Sequence, residues 1–273
     1  MSDLLQQIAA AADHIKKSWS ETPQVGIILG SGLGNLATEI TESIEIPYGE
    51  IPHFPATSVE GHRGRLILGK MNGRPVVAMA GRFHYYEGYS MQQVTFPVRV
   101  MKALGVRTLL LSNAAGGMNT QFKVGDLMII RDHINLQPEH PLRGANIAEL
   151  GPRFPDMSEP YSKALIAKAK EIAAANNIPV HTGVYVGVQG PTFETRAEYK
   201  FMHVIGGDAV GMSTVPEVIV GIHAGLQVFA MSVITDLGIR EEENVITHEE
   251  VLEAANAAEP KLTLIFRELI SVL

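Results

Sequence analysis

Val25 to Leu29 (VGIIL) form a short, wholly apolar run dominated by branched side chains, and they lead directly into the glycine turn GSGLG at Gly30 to Gly34. A run of this kind reads as a strand buried on both faces. The rest of the chain repeats the theme. Strands are expected over Arg65 to Leu68, Val76 to Ala80, Arg107 to Ser112, Asp126 to Ile130, Val184 to Val188, Asp208 to Val210 and Val228 to Ile234. Helical stretches separate most of them. Leu4, Leu5, Ile8, Ala11, Ile15 and Trp19 recur at helical spacing and Pro23 ends that helix. Others are expected from about Leu33 to Ile40, from Ser90 to Leu104 with a kink at Pro97, and from Tyr161 to Asn176. Alternating strands and helices define the α/β class. The pair Asn72-Gly73 marks a hairpin turn between two of the strands.

Composition narrows the function. With 273 residues, 46% of them hydrophobic, the chain can bury a large core, and no linker, repeat or low-complexity tract divides it. A formal net charge of −7 disfavours nucleic acid or an anionic membrane as partner. There is no cysteine, which excludes disulfides, thiolate metal sites and a cysteine nucleophile, and fits a cytoplasmic protein. The first residues lack a signal-peptide pattern, and no apolar run reaches the ~18 residues of a membrane span.

The polar residues that can do chemistry gather where strands end or helices begin. Ser31 lies in the first glycine turn. That turn departs from a dinucleotide fingerprint, because Asn35 stands where the last glycine belongs. Glycines there let backbone amides approach an anion, although Gly-Ser turns without a ligand are as common. His62 and Arg63 sit between two glycines in EGHRG, as on an exposed loop. In GRFHYYEG, from Gly81 to Gly88, an extended backbone would point Arg82, His84 and Tyr86 to one side and Phe83 and Tyr85 to the other. Arg and Tyr also serve simply to cover strand ends. The small residues of NAAGG, from Asn113 to Gly117, follow a strand and let backbone come close to a ligand.

Four capping boxes punctuate the chain: Ser90 with Gln93, Thr195 with Glu198, Thr214 with Glu217 and Thr247 with Glu250. Glu194 and Ser213 each precede a helix cap by one residue. A helix N-terminus favours an ionised carboxylate and welcomes anions. His248 falls in a first helical turn, which disfavours imidazolium. Both positions also occur in proteins where capping merely starts a helix. The proline-bearing segment from Asp132 to Met157 is long for a loop, as in functional or interface loops. Glu241 to Glu243 read as a solvated charge run.

Taken together, ILGSGLG at Ile28, GH at Gly61, GRFHYYEG at Gly81, NAAGG at Asn113, GPTFET at Gly190 and VGMSTVPEV at Val210 resemble the trimeric class of purine nucleoside phosphorylases, in that family's order and across nearly the whole chain. The resemblance implies a single domain over residues 1–273, of α/β class, with a central mixed β-sheet (phosphorylase/hydrolase-like) flanked by helices. It implies reversible phosphorolysis of 6-oxopurine ribonucleosides and 2′-deoxyribonucleosides to free base and (2-deoxy)ribose 1-phosphate, in purine salvage. It implies no metal or other cofactor, inorganic phosphate as co-substrate, and a homotrimer. Ser31, Arg82, His84, Ser213 and the amide of Ala114 would hold phosphate, with His62 closing over it. Tyr86, Met212 and His248 would hold the ribose, Phe193 would stack on the base, and Glu194 would accept from the ring N–H at position 1. His84, Glu194 and Asp236 would carry the catalysis.

Two positions depart from the family. The pattern after the last strand ends in Asn, whereas this chain has SVITD. An ionised Asp236 only accepts hydrogen bonds. It therefore suits a 6-amino group, while Glu194 suits a 6-oxopurine, and the combination predicts broadened specificity that includes adenosine. The family's cross-subunit Phe is replaced by Leu150. A methylthioadenosine phosphorylase is the nearest alternative, with His248 against it. A non-catalytic nucleotide-binding protein is a further one, and a nicotinamide-dependent dehydrogenase the most remote.

Overall fold

The computed structural model describes residues 3–56, 64–239 and 246–273. Its helices are α1 (Asp3–Ser18), α2 (Met91–Leu104), α3 (Lys163–Ala175), α4 (Arg196–Val204), α5 (Val215–His223) and α6 (His248–Ser271). Its strands are β1 (Val25–Ile28), β2 (Thr41–Pro47), β3 (Arg65–Met71), β4 (Arg74–Ala80), β5 (Thr108–Gly117), β6 (Leu127–Asn135), β7 (Val180–Gly187), β8 (Ala209–Gly211) and β9 (Gln227–Leu237).

The strands form one mixed sheet in the order β2-β3-β4-β1-β5-β8-β7-β6-β9, and β9 returns to pair with β5. The half after β5 therefore closes on itself as a ring of β5, β8, β7, β6 and β9. Strand β5 is the hinge of this arrangement. Its first part lies between β1 and β9, both parallel to it, and its last two residues pair with β8 in antiparallel sense.

Side chains alternate across the sheet, as a period of two requires. Ile28, Leu109 and Leu111 face the layer that holds α1, α2 and α5. Ile27, Leu29 and Leu110 face the layer that holds α3 and α6. The apolar run that opens the strand pattern is thus covered on both sides. A smaller cluster of Met118, Val186, Tyr199, Met202 and Val210 packs α4 onto the ring.

Several boundaries differ from expectation. The turn after Gly34 is a 3-10 helix over Asn35–Glu39, because β2 begins at Thr41 and leaves no room for a longer one. NAAGG does not follow the strand but is the second half of β5, held extended by pairing with β9 and β8. Strand β6 continues through Asn135, so the long segment is shorter than the sequence suggests, and it carries one 3-10 turn at Ala148–Leu150. Helix α2 runs without interruption through Pro97. The Glu241 to Glu243 run lies outside the described residues.

Candidate active site

Leu29 and Gly30 follow β1, and Arg82 follows β4, so both segments leave the sheet on the same side of β5. Arg82 is 1% exposed and ties four elements together. Its Nη1 donates to the Ser112 carbonyl of β5 at 2.8 Å and to Ser213 Oγ at 3.1 Å. Its Nη2 donates to the Ile28 carbonyl at 3.3 Å, and its Nε to Glu217 Oε1 at 3.1 Å. A buried guanidinium demands such a set of acceptors.

Glu217 does two jobs. Its other carboxylate oxygen accepts the Thr214 N–H at 3.0 Å, which completes the capping box at the start of α5. Thr214 sits at φ 71° and ψ −54°, where a β-branched residue is strained. It is the centre of a γ-turn closed by the Val215 N–H on the Ser213 carbonyl at 2.7 Å. Strain of this kind costs about 1–3 kcal/mol and persists only where neighbours over-determine it. Those neighbours are Glu217 and Asn113, whose side-chain amide donates to Thr214 Oγ1 at 2.9 Å. The result turns Ser213 towards Arg82.

The glycine turn is fixed from the opposite layer. Gly32 has φ +70°, and a Cβ there would meet Ala255 of α6 at 2.8 Å. Also on α6, buried Glu259 accepts the Asn35 N–H at 2.6 Å, the Asn35 side-chain amide at 2.7 Å and the Leu36 N–H at 3.3 Å. Neither residue was identified from sequence, because a mid-helix glutamate 224 positions away gives no local signal.

His84 is buried and its ring stacks on Tyr86, with centroids 4.7 Å apart. Glu87 accepts the His84 N–H at 2.8 Å and lies 3.3 Å from Nδ1. Burial lowers the imidazole pKa, with Glu87 opposing, so the ring is biased towards neutrality. The stack arises because the chain enters a 3-10 turn at Tyr85–Glu87 instead of staying extended. Phe83 points away into an aromatic cluster with Tyr48 and Phe54, as the alternation predicted.

A second group of polar side chains comes from β9 and the start of α4. The register of β5 against β9 slips between Ala115 and Gly116, so Gly116 pairs with Asp236 and Thr235 is skipped. The slip is a bulge, and a bulge re-aims a side chain. Asp236 is buried, accepts from Thr235 Oγ1 at 3.1 Å through Oδ1, and from the Tyr199 hydroxyl at 3.0 Å through Oδ2. The charge of the nearby Glu194 carboxylate also acts on the Tyr199 hydroxyl. Burial raises the Glu194 pKa, and the charges of Asp236 and Glu198 add to the rise. Burial drives the Tyr199 hydroxyl far above its ordinary value, so it remains a donor.

Both groups line one cleft of about 280 Å³. Ser31, Arg82, His84, Tyr86, Ala114, Phe193, Glu194, Met212, Ser213, Asp236 and His248 all border it. Every site residue named from sequence is therefore brought together except His62, which lies outside the described residues. Phe193 is 39% exposed at the rim, and His248 is exposed in the first turn of α6. Leu150 is elsewhere, packed beside the core of its own chain. Among the described residues, no cluster of three His, Cys, Asp or Glu side chains could hold a metal, and no helix is long and apolar enough to cross a membrane.

A mixed sheet closed at one half thus brings a buried guanidinium and two carboxylates to a single cleft. The sequence pattern of the Phosphorylase superfamily matches residues 24–271. The purine nucleoside phosphorylase 1 of Bacillus subtilis (strain 168) is 54% identical over 247 residues, covering 90% of this chain and 91% of that protein. A purine nucleoside phosphorylase of Schistosoma mansoni solved with adenosine is 44% identical with a TM-score of 0.94, covering 98% of each chain. The same organism's enzyme solved with inosine superposes at 0.93 and is also 44% identical, covering 98% of this chain and 97% of that one. The chain belongs to the phosphorylase superfamily, as one of its purine nucleoside phosphorylases. It is an enzyme, and its reaction is the reversible phosphorolysis of purine nucleosides to free base and ribose 1-phosphate.

Proposed function

We propose that the cleft divides this reaction between its two polar groups. Ser31, Arg82, His84, Ser213 and the Ala114 amide hold phosphate. Glu194 and Asp236 hold the purine, with Phe193 against its face, and Tyr86, Met212 and His248 hold the ribose between them. His62 closes over the phosphate. The observation that carries this reading is the buried Arg82, fixed by Glu217 beside Ser213 in the same cleft as Glu194 and the Tyr199–Asp236 pair.

Phosphate attacks the anomeric carbon as the bond to the base breaks. Charge becomes positive on the sugar and negative on the departing purine. The phosphate dianion faces the cationic sugar, and a donor near the purine imidazole nitrogen takes up the charge of the base. Each well-placed donor of this kind lowers a barrier by about 3 kcal/mol. Positioning supplies the rest. His84, biased to neutrality and with Nδ1 beside Glu87, presents its imidazole to the phosphate as a hydrogen-bonding partner. Inorganic phosphate is a co-substrate, and the chemistry so described uses no cofactor.

Asp236 in place of the family's Asn supports acceptance of adenosine beside the 6-oxopurines. The chain acts as one domain in the cytoplasm. Its exposed apolar side chains Leu136, Phe201, Val204 and Ile205 support assembly as a homotrimer, with Leu150 weakening any cross-subunit contact at the ribose.

The test is base release from inosine and adenosine, side by side, with and without phosphate. Release of both bases only when phosphate is present is the expected result. Release without phosphate, or from neither nucleoside, would overturn the reading.

A further inference from the structure

Each carboxylate oxygen of Asp236 meets its own buried donor. The Tyr199 hydroxyl donates to Oδ2 at 3.0 Å. Thr235 Oγ1 donates to Oδ1 at 3.1 Å, nearer than the Ala115 carbonyl at 3.4 Å. A phenol carries one hydrogen, and here that hydrogen is committed to Asp236. A donor on each oxygen favours the ionised carboxyl over the acid. A carboxylate held in this way offers a substrate acceptors only.

The pairing is built from several parts of the chain. Tyr199 comes from α4 and Asp236 from β9, 37 positions away. The bulge beside Gly116 sets Asp236 opposite that glycine. A Cβ at Gly116 would lie 2.8 Å from the Tyr199 hydroxyl and 3.0 Å from Asp236 Oδ2, and a Cβ at Gly238 would overlap the Tyr199 ring. Two glycines thus leave the space in which the ring reaches Asp236. Met118, Val186, Met202 and Val210 cluster with that ring. A phenylalanine would satisfy those apolar neighbours equally well, so packing does not account for the hydroxyl.

Resting on the phosphorylase reading above, we propose that Tyr199 is a positioning residue for Asp236 and, through it, sets base specificity: its hydroxyl holds the Asp236 carboxyl as an acceptor, turned to take up the 6-amino group of an adenine base. Without the phenol's hydrogen, Oδ2 loses its donor from α4. Proton uptake by the buried carboxyl is then favoured. A protonated carboxyl donates, which fits a 6-oxygen and not a 6-amino group.

Tyr199→Phe keeps the ring and removes the hydrogen. Assayed on inosine and adenosine at neutral pH and saturating phosphate, it should raise the kcat/KM ratio of inosine to adenosine at least fivefold. A smaller rise, no change or a fall overturns the proposal. Looser packing of α4 would lower both substrates together and leave the ratio where it was. The route through Asp236 has its own readout. In the Asp236→Asn background the amide has no proton to gain, so adding Tyr199→Phe should change kcat/KM for adenosine by less than threefold. A larger change there would mean that Tyr199 acts by another route, and would overturn the proposal. Should the Tyr199→Phe chain fail to fold, Thr235→Val strips the donor from Oδ1 instead and should raise the same ratio. An unchanged or lower ratio in that variant overturns the donor account of Asp236. If the parent shows no phosphate-dependent release from any nucleoside, it is the phosphorylase reading that has failed.

Discussion

Arg82 Nε meets Glu217 Oε1 at 3.1 Å across 135 positions of sequence, and their side chains are 1% and 3% exposed. The pair makes the helix cap at Thr214 and the cation of the cleft depend on one carboxylate. Removing one partner of such a pair leaves a buried charge without compensation, at a cost of about 3–5 kcal/mol. Glu217→Ala should lose that much stability in urea unfolding. A loss below a third of it would mean that Arg82 relaxes towards solvent and is not held by Glu217.

Arg82 itself offers a sharper readout. Its four contacts use the planar fork of the guanidinium, and a lysine ammonium cannot reproduce that geometry. Arg82→Lys should raise the KM for phosphate by about tenfold or more, the ~1.4 kcal/mol expected for losing one charge-assisted contact. The KM for nucleoside should change far less. Equal increases for both substrates would place Arg82 in general packing rather than at the phosphate.

Glu194 should trade stability against activity. Its carboxyl pKa is raised in the folded chain, chiefly by burial, from the ordinary 4.5. The folded state is thus favoured by the neutral form. Its favourable contribution is complete below pH ~4.5 and is lost as pH rises through the folded value. Glu194→Gln, which is neutral throughout, should therefore be more stable than the parent at neutral pH. The gain should vanish below about pH 4. The same variant should lose inosine turnover, because an amide oxygen accepts the N–H at position 1 more weakly than a carboxylate. A variant less stable at pH 7 than the parent would contradict the buried-charge account.

How much of this was legible in the sequence follows from distance along the chain. The capping boxes at Ser90, Thr195, Thr214 and Thr247 are four-residue patterns, and each of them starts a helix in the structure. The grouping of Arg82, His84 and Tyr86 is equally local, and all three border the cleft. The closure of β9 onto β5 is not local, and neither is the one-residue slip that turns Asp236 inward. Tyr199 could have been suspected, since it lies five residues beyond Glu194 on the helix that Thr195 caps. Glu217 was read only as half of a capping box. Its bond to Arg82 depends on where β4 and α5 end relative to β5, which no single segment specifies.

Glu259 gives a prediction about the glycine turn. It satisfies three donors of Asn35 and Leu36 from within α6, the helix whose first turn carries His248. Glu259→Ala leaves the buried Leu36 N–H without this acceptor, at about 1–3 kcal/mol, and frees the exposed Asn35 from α6. The turn that carries Ser31 should loosen. The same excess of phosphate should then raise the melting temperature of the variant by less than it raises that of the parent, because binding must also order the turn and is weakened by that cost. An identical phosphate-induced shift in both proteins would show that the turn stands without Glu259.

Asp236→Asn separates the two base classes. The asparagine amide can donate to a 6-oxygen, and its carbonyl can still accept from Tyr199, which lies 3.0 Å from Oδ2 in the parent. Glu194 then faces no neighbouring charge at position 236 and ionises more readily, which suits the ring N–H of a 6-oxopurine. Inosine turnover should stay within a few-fold of the parent. Adenosine loses the ionised acceptor for its amino group. A hydrogen bond to a charged group is worth about 1.5–3 kcal/mol, so kcat/KM for adenosine should fall about ten- to hundredfold. The two substrates assayed on one preparation at one pH give the ratio directly. Adenosine turnover unchanged in Asp236→Asn would mean that the amino group is not read at position 236, and the preference would then have to be set by Glu194 alone.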